Sequence, residues 1–437
     1  MIAAAAGVAL VTAAVLVGRA IQHADGSLQV NWPPLLGTWD PRVGPGTPAA
    51  LAVAVLIVAY GPGLAARLPW RALLFTTWAA ALAWTFSLAL VDGWHWGVAR
   101  RLTTKNEYLT VIDRFADIGT TLRGFTEHIV IGPPGNWPAH VAGHPPGATL
   151  SFVWLDRIGL GGGSWAGAWC VVVGGSAVAA VLVTVRALTD EHTARRAAPF
   201  LALAPAAVWM GTSADGYFAG VTAWSLALLA LAATRTIRFP VTAALGAGLL
   251  YGFTCYLSYG LTLMALPGLG VLLVARTARP LPAVLAGALV VPVAFTLAGF
   301  NWWEGYEELV VRYYQGAGGV RPYAYWIWGN LAATTLAVGL ATVAGLGRVL
   351  ALAPRAVRDR TSPTARQGLA VLVLAALLAI LVADLSGMSK AETERIWLPF
   401  MLWLLPATAL LPGRRRGWLT GQAVVALLIN HLVFTGW

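Results

Sequence analysis

Long apolar segments recur along the whole chain and are separated by short polar ones. The apolar runs are continuous rather than alternating, and most are about 20 residues long, enough for a helix to cross the hydrocarbon core of a bilayer. This pattern predicts an all-α integral membrane protein with about 13 transmembrane helices. We place them at 2–19, 47–66, 70–91, 163–187, 197–213, 215–234, 240–257, 259–276, 281–301, 326–347, 367–386, 395–412 and 418–436.

Three longer polar segments interrupt this series, at 92–147, 302–325 and 384–394. In the first of them apolar residues recur at helical spacing, which predicts short amphipathic helices lying on the membrane; these residues are Phe115, Leu122, Phe125 and Ile129. The following segment, 148–160, is apolar at helical spacing but too short to span. We therefore expect it to form an interfacial or re-entrant helix.

The composition is typical of a membrane protein, and the charged residues are distributed unequally between the two predicted sides of the membrane. Of the 437 residues, 58% are hydrophobic and 11% are charged. The net charge of +11 comes from arginines in short loops, as the positive-inside bias predicts, and does not indicate a nucleic-acid partner. With the N-terminus inside, only three of the 18 acidic residues face the cytoplasm: Asp190, Glu191 and Asp359. We therefore expect a multi-pass cell-membrane protein with an extracytoplasmic functional site.

The first candidate site lies in the long outer segment, where Lys105 and Asn106 precede Glu107 and Tyr108. A carboxylate held near the membrane surface is suited to act as general base for a hydroxyl acceptor, and Asp113 follows six residues later. The alternative is a solvated helix N-terminus, where acids favour the helix dipole.

The second candidate is "HVAGHPPG", from His140 to Gly147. Pro145 and Pro146 set a rigid entry to a helix, and His144 then lies where backbone N–H groups favour an anion such as phosphate. Alternatively, the prolines merely start the helix and His144 caps it. The histidines are four residues apart, but no metal-ligand set is evident; we expect no cofactor, with a divalent metal left open.

Two further groups of charges lie at the outer ends of apolar segments. Asp215 occupies a minimal turn between two spans, where an ionisable group is costly and usually functional; an ordinary turn is the alternative. Lys390, Glu392, Glu394 and Arg395 precede an apolar segment. The planar guanidinium of Arg395 matches phosphate, whereas the alternative is an interfacial anchor.

The order of these motifs resembles that of the C-fold glycosyltransferases, in the branch of protein O-mannosyltransferases and lipid A aminoarabinose transferases. It also resembles uncharacterised actinobacterial membrane proteins of that group. The resemblance covers about residues 70–412. It implies a main domain at 70–437, including the outer loop 92–147, preceded by an additional transmembrane hairpin at 1–69.

The resemblance implies transfer, with inversion, of a hexose or pentose from a polyprenyl-phosphate donor to a hydroxyl of a cell-envelope glycan, lipid or protein. Glu107, or Asp113, would be catalytic. The family often has Asp-Glu where this chain has Asn106-Glu107, so half of the acidic pair is missing. Other roles follow from the same mapping: binding of the donor phosphate by His144, Arg395, Arg321 and Lys390, and positioning of substrate by Tyr108, His140, Asp215 and Glu394.

Two other classes of function are compatible with a polytopic protein. A transporter or flippase of lipid-linked sugars requires charges near the bilayer midplane and repeated halves with broken spans. Here the charges cluster toward one face and no repeat is evident. A membrane O-acyltransferase would use His144 or His140 as base and would need a route for a cytosolic thioester donor.

Overall fold

Eight long apolar helices form the frame of the molecule. The structure is a computed structural model that describes residues 1–132, 134–358, 364–413 and 415–435. Within these ranges eight helices are long and apolar enough to cross a membrane: α1 (Ile2–Asp25), α2 (Thr47–Arg67), α3 (Trp70–Ala89), α4 (Gly163–Leu188), α5 (Ala214–Thr234), α6 (Pro240–Leu257), α7 (Tyr323–Arg358) and α8 (Ala365–Leu385). The chain is thus a multi-pass, all-α protein, as the apolar pattern predicts.

The prediction of about 13 transmembrane helices is supported only in part. The described residues contain eight such helices, or nine if a pair of helices bent by 77° is counted as one span. That pair is Leu281–Leu297 followed by Trp302–Gln315. The other predicted spans consist of shorter or more polar pieces: Glu191–Ala202 with Ala207–Met210, Tyr259–Met264 with Ala265–Ala275, Thr393–Ile396 with Leu398–Met401 and Leu405–Leu410, and Arg415–Leu432.

Proline accounts for two of the interruptions, because it lacks a backbone N–H and clashes with the preceding turn. Pro205 lies between the helices Glu191–Ala202 and Ala207–Met210 in the segment at 197–213, and Pro399 and Pro406 lie in the first turns of separate short helices in the one at 395–412. A hydropathy average does not detect these breaks. Even α7 is interrupted at Gly339, whose φ of +79° is a left-handed conformation that favours glycine.

The segment 92–147, predicted to lie outside, is a chain of very short helices. Its apolar residues Phe115, Leu122, Phe125 and Ile129 are all buried. The expectation that they lie on the membrane is therefore wrong, because they pack into the protein around Trp137, whose ring stacks on those of Phe115 and Phe125. The short helices are Leu90–Asp92, His95–Ala99, Arg101–Thr103, Tyr108–Phe115, Ile118–Arg123, Thr126–His128 and Ala139–Ala142.

The next helix, Pro146–Arg157, has 12 residues. At about 1.5 Å per residue it is roughly 18 Å long, too short to cross the hydrocarbon core. It packs against the helix Tyr108–Phe115 and against α6. Gly147 permits the second contact, since a Cβ there would lie 2.5 Å from the carbonyl oxygen of Tyr256. The prediction of a short, non-spanning helix is consistent with this length.

The two ends of the helix bundle differ in their polar contacts. At one end arginines donate to carbonyls of neighbouring segments: Arg195 to Ala65 and Leu68, and Arg196 to Ala409 and Leu411. Asp190 and Glu191 also lie at this arginine-rich end, where Glu191 pairs with Arg186 and Arg195. Asp359 and Arg414, which also entered the prediction of sidedness, lie outside the described residues.

The opposite end gathers the polar segments. The strand β1 (Thr38–Trp39), between α1 and α2, pairs antiparallel with β2 (Val433–Phe434) near the end of the chain. In addition, α1 packs along α7, and α2 packs against α3 and the helix Glu191–Ala202. Division of the chain at residue 69 stays a prediction, but the first two helices contact later parts of the molecule extensively. A further short helix at this end is Ala317–Val320.

Candidate functional site

The carboxylate of Glu107 is buried and is held by a histidine. Glu107 lies in extended conformation just before the helix Tyr108–Phe115 and is 4% exposed. Its Oε1 is 2.8 Å from Nδ1 of His140. The backbone N–H of His140 donates to the carbonyl of Asn106 at 3.0 Å. Two contacts between the same segments therefore fix the orientation of the carboxylate.

His144 contacts the two residues that adjoin this carboxylate, His140 and Tyr108. Its Nδ1 lies 2.7 Å from the carbonyl oxygen of His140 and 3.1 Å from Oη of Tyr108. Because a carbonyl only accepts hydrogen bonds, Nδ1 carries a proton. Burial lowers the pKa of His144 to about 4, so the imidazole is neutral near pH 7.

The sequence-based role of His144 as a phosphate ligand therefore has little geometric support. A neutral ring offers no positive charge to a phosphate, and its Nδ1 is already engaged. Nor does His144 cap the helix Pro146–Arg157, since its N-cap residue is Pro145 and no side chain makes a capping hydrogen bond. The ring instead packs beside Tyr108 and Phe218.

The depressed pKa of His144 predicts a specific acid sensitivity. Between about pH 4 and pH 6.5 the unfolded chain binds a proton at this residue that the folded protein does not. Stability should therefore fall as the pH decreases through this window. We expect the thermal midpoint in detergent to drop less between about pH 7 and pH 5 for His144→Asn than for wild type. The exposed His192, at the arginine-rich end, provides the control His192→Asn. The drop in thermal midpoint between about pH 7 and pH 5 should be the same in this variant as in wild type.

A buried cluster of charges surrounds Arg395. Its guanidinium pairs with Asp215 and, at 3.2 Å, with Oε2 of Glu392. Oε1 of Glu392 lies 3.3 Å from Arg321. Ser213 fixes Asp215 at the start of α5, because its Oγ accepts from the Asp215 N–H and donates to the carboxylate. The carboxylates of Asp215 and Glu392 thus hold the guanidinium of Arg395 from two sides.

Arg321 and Glu394 connect the loop after α1 to this cluster. Arg321 Nε donates to the carbonyl of Leu28 at 3.2 Å, and Oε1 of Glu394 accepts from the N–H of Leu36 at 3.0 Å. Burial raises the pKa of Glu394 to about 7. The structure places both side chains as supports of a loop, whereas the sequence indicated contacts with donor or substrate.

Lys390 and Asp113 lie away from the buried carboxylate. Lys390 Nζ donates to the carbonyl of Gly318 at 2.8 Å. Asp113 is exposed on the helix Tyr108–Phe115, and no hydrogen bond or ion pair with a described residue is found for its side chain. Of the two carboxylates predicted as the base, only Glu107 is buried and held by another side chain.

Glu107 borders two cavities. One is an open cleft of about 350 Å³, which His140 also lines. The other is an enclosed pocket of about 10 Å³, with room for about one water molecule. Its other lining residues are Arg101, Leu102, Tyr108, Thr212, Ser213, Ala214 and Arg395. One carboxylate therefore separates an accessible cleft from a pocket that two arginines face.

Arg101 is a site residue that the sequence analysis missed. Its Nη2 lies 3.0 Å from Asp92, which also pairs with Arg42 at 2.7 Å. One carboxylate between two guanidinium groups leaves net positive charge. Arg101 Nε is buried and has no hydrogen-bond partner among the described residues. The signal in the sequence was the tandem Arg100-Arg101 in the polar segment that follows α3, on the side where the sidedness pattern predicts few arginines.

Glu392 belongs to the charged group at 390–395 in the sequence, but no role in the site was predicted for it. The αL conformation of Glu392, with φ +62°, turns the chain so that the residue three positions before Arg395 contacts the guanidinium. No group of three or more His, Cys, Asp or Glu side chains that could hold a metal occurs among the residues that the structure describes.

Comparisons with known proteins give a distant structural likeness. No family model matches the chain, and no curated protein matches it. Among solved structures it is similar to an Archaeoglobus fulgidus oligosaccharyltransferase complexed with zinc and sulfate, at 15% identity and a TM-score of 0.44, covering 77% of this chain and 48% of that one. It is also similar to the archaeal oligosaccharyltransferase AglB from the same organism with an inhibitory peptide and a dolichol-phosphate, at 14% identity and a TM-score of 0.45, covering 77% and 50%.

The apo form of the Archaeoglobus enzyme gives 13% identity, a TM-score of 0.43 and coverage of 82% and 50%. This chain thus spans about half the length of the proteins it matches. Likeness at this level assigns no family and transfers no activity. What the structure establishes is a multi-pass, all-α protein with a buried carboxylate–histidine pair and an arginine-lined pocket at one end of its helix bundle.

Proposed function

We propose that this chain is a membrane glycosyltransferase that moves a monosaccharide from a polyprenyl-phosphate donor to a hydroxyl acceptor on a glycan, lipid or protein. One observation carries the proposal: Glu107 lies between an open cleft and an enclosed pocket that Arg101 and Arg395 face. A hydroxyl in the cleft would meet the carboxylate on one side. A phosphate would meet the arginines on the other.

The reaction follows from these positions. Glu107 accepts the proton of the acceptor hydroxyl, and the oxygen of that hydroxyl attacks the anomeric carbon of the donor sugar. The bond from that carbon to the phosphate oxygen breaks, and the electron pair leaves with the polyprenyl phosphate. Attack opposite to the leaving group inverts the anomeric configuration. His140 orients Glu107 through the contact at 2.8 Å.

The leaving phosphate would be stabilised by the two guanidinium groups. The enclosed pocket has room for about one water, which is the size of a single phosphate oxygen. Such an oxygen would contact Arg101 and Arg395 together. Preorganised donors of this kind act most strongly where water is excluded, and the cluster of Asp215 and Glu392 holds Arg395 ready without rearrangement.

We further propose that the site faces away from the cytoplasm. It lies at the end of the bundle opposite to Arg195 and Arg196, and basic loops favour the cytoplasmic side. A flippase is disfavoured by the same arrangement, because the site charges lie at one end of the bundle and not at midplane. An O-acyltransferase with His144 as base is disfavoured, since its Nδ1 donates to a carbonyl and its pKa is low.

The purified protein in nanodiscs should consume the donor. We expect release of free polyprenyl phosphate from at least one member of a panel of polyprenyl-phosphate pentoses and hexoses, and only when a cell-envelope extract supplies acceptors. Chromatography of the lipid products measures this release. A flippase would move the donor between leaflets without consuming it, and that result with the whole panel would overturn the proposal.

A further inference from the structure

The open cleft beside Glu107 is built largely from the two ends of the chain. One wall is the loop between α1 and α2, and the other includes the C-terminal strand. Beside Glu107 and His140 the lining residues are Gln29, Asn31, Leu36, Gly37, Thr38, Thr104, Asn106, Phe434 and Thr435. The loop that joins the two helices of the predicted hairpin thus contributes directly to the candidate site.

This wall is held in place by the charged cluster of the site. Arg321 bonds the carbonyl of Leu28, and Glu394 accepts from the N–H of Leu36. Gln29 and Asn31 lie between these two anchors. Both are exposed, and Gln29 adopts a left-handed backbone conformation with φ +51°. Such a conformation in a residue other than glycine is uncommon and recurs at ligand sites.

The lining has the chemistry of a site for a neutral, hydroxyl-rich ligand. Three amides and three hydroxyls face the cleft, and no lysine or arginine occurs among its described lining residues. Amides and hydroxyls both donate and accept, so they match the paired donor and acceptor character of sugar hydroxyls. A phosphate would find no lysine or arginine among these described lining residues, in contrast to the enclosed pocket on the other side of Glu107.

We infer that this cleft is a saccharide-binding site that selects the acceptor, with Gln29, Asn31 and Asn106 as specificity-determining residues. The inference rests on the proposed function for the word acceptor, and on the cleft itself for the class of ligand. A volume of about 350 Å³ is at the lower end of small-molecule pockets and suits one or two sugar rings. The acceptor hydroxyl would then lie next to Glu107.

Binding can be measured without any transfer. The probes are methyl mannopyranoside, methyl glucopyranoside and methyl arabinofuranoside, with glucose 6-phosphate as the anionic comparison. Their binding to the protein in nanodiscs is measured by saturation-transfer NMR. We expect a neutral glycoside to bind, on the order of millimolar. The double variant Gln29→Ala/Asn31→Ala should weaken binding at least about tenfold, because two side-chain hydrogen bonds are lost.

Two further variants make the result specific. Asn31→Trp should block the cleft by bulk, while Asp40→Ala, exposed on the same loop but outside the cleft, should bind within about twofold of wild type. Absence of binding by every neutral glycoside, equal binding by the double variant, or tighter binding of glucose 6-phosphate would overturn the inference. Variant-sensitive binding without transfer from any donor would instead uphold the saccharide site and remove the proposed enzyme activity.

Discussion

Glu107→Gln should lower the rate of sugar transfer by on the order of 10²–10⁴-fold, the usual cost of losing a general base. The amide keeps the shape of the side chain and can still accept from Nδ1 of His140, so the pair at 2.8 Å should persist. Abundance in the membrane and thermal midpoint should therefore stay close to wild type. The measurement is initial transfer rate per mole of folded protein at saturating donor.

Two variants give this result its meaning. Glu127→Gln makes the same chemical change on an exposed residue of the same outer segment, and it should leave the rate unchanged. Asp113→Asn tests the other predicted carboxylate, which the structure leaves exposed. If Glu107→Gln retained near-wild-type turnover and Asp113→Asn lost it, the catalytic role would belong to Asp113.

Arg395→Lys should weaken use of the donor by roughly 10- to 150-fold, equivalent to about 1.5–3 kcal/mol for a charge-assisted hydrogen bond to phosphate. Lysine keeps the positive charge but not the planar fork that contacts Asp215 and Glu392 together. Arg395→Ala should be more severe, because it leaves two carboxylates without this cation. Breaking a buried pair typically costs about 3–5 kcal/mol of stability.

A purely structural role for Arg395 would give a different pattern. The thermal midpoint would fall, but the donor concentration at half-maximal rate would not change in the Arg395→Lys protein that remains folded. Arg321→Lys is the matched control, because Arg321 binds Glu392 from the other side and does not line the enclosed pocket. It should lower stability without changing donor dependence, and a similar shift in both variants would remove Arg395 from the phosphate site.

The long helices could be predicted well from the local sequence. Eight of the predicted spans correspond to long apolar helices, because a continuous apolar run of that length has few alternatives. The remaining segments are also rich in apolar residues but contain prolines or adjoin arginines, as at Pro205, Pro399 and Arg415. Hydropathy registers composition over a window, whereas helix continuity depends on single residues.

Many residues of the candidate site could be predicted from the sequence, but the contacts between them could not. Glu107 and His140 were both chosen from the sequence, but their contact joins segments 33 positions apart and depends on how the outer segment folds back. The pairing of Asp215 with Arg395 spans 180 positions. Nothing local indicates that the carboxylate and the guanidinium meet, so they were predicted to have separate roles, one with the substrate and one with the donor.

The role of His144 shows a further limit of local pattern. A histidine before Pro145-Pro146 is compatible with anion binding when only the helix start is considered. The tertiary structure buries the ring against Tyr108, and this burial favours the neutral form even though Nδ1 donates to the carbonyl of His140. Charge at a histidine is set by its surroundings, and those surroundings come from segments that the motif does not contain.

The most direct test of glycosyl transfer is mass spectrometry of the envelope glycans and glycolipids of the organism that encodes this chain. Four strains suffice: a deletion, and the deletion complemented with wild type, with Glu107→Gln or with Glu127→Gln. The account predicts that the deletion lacks one monosaccharide increment, of pentose or hexose mass, on a defined acceptor. Wild type and Glu127→Gln should restore it and Glu107→Gln should not, at equal protein abundance. An unchanged profile in the deletion, or full restoration by Glu107→Gln, would contradict the account.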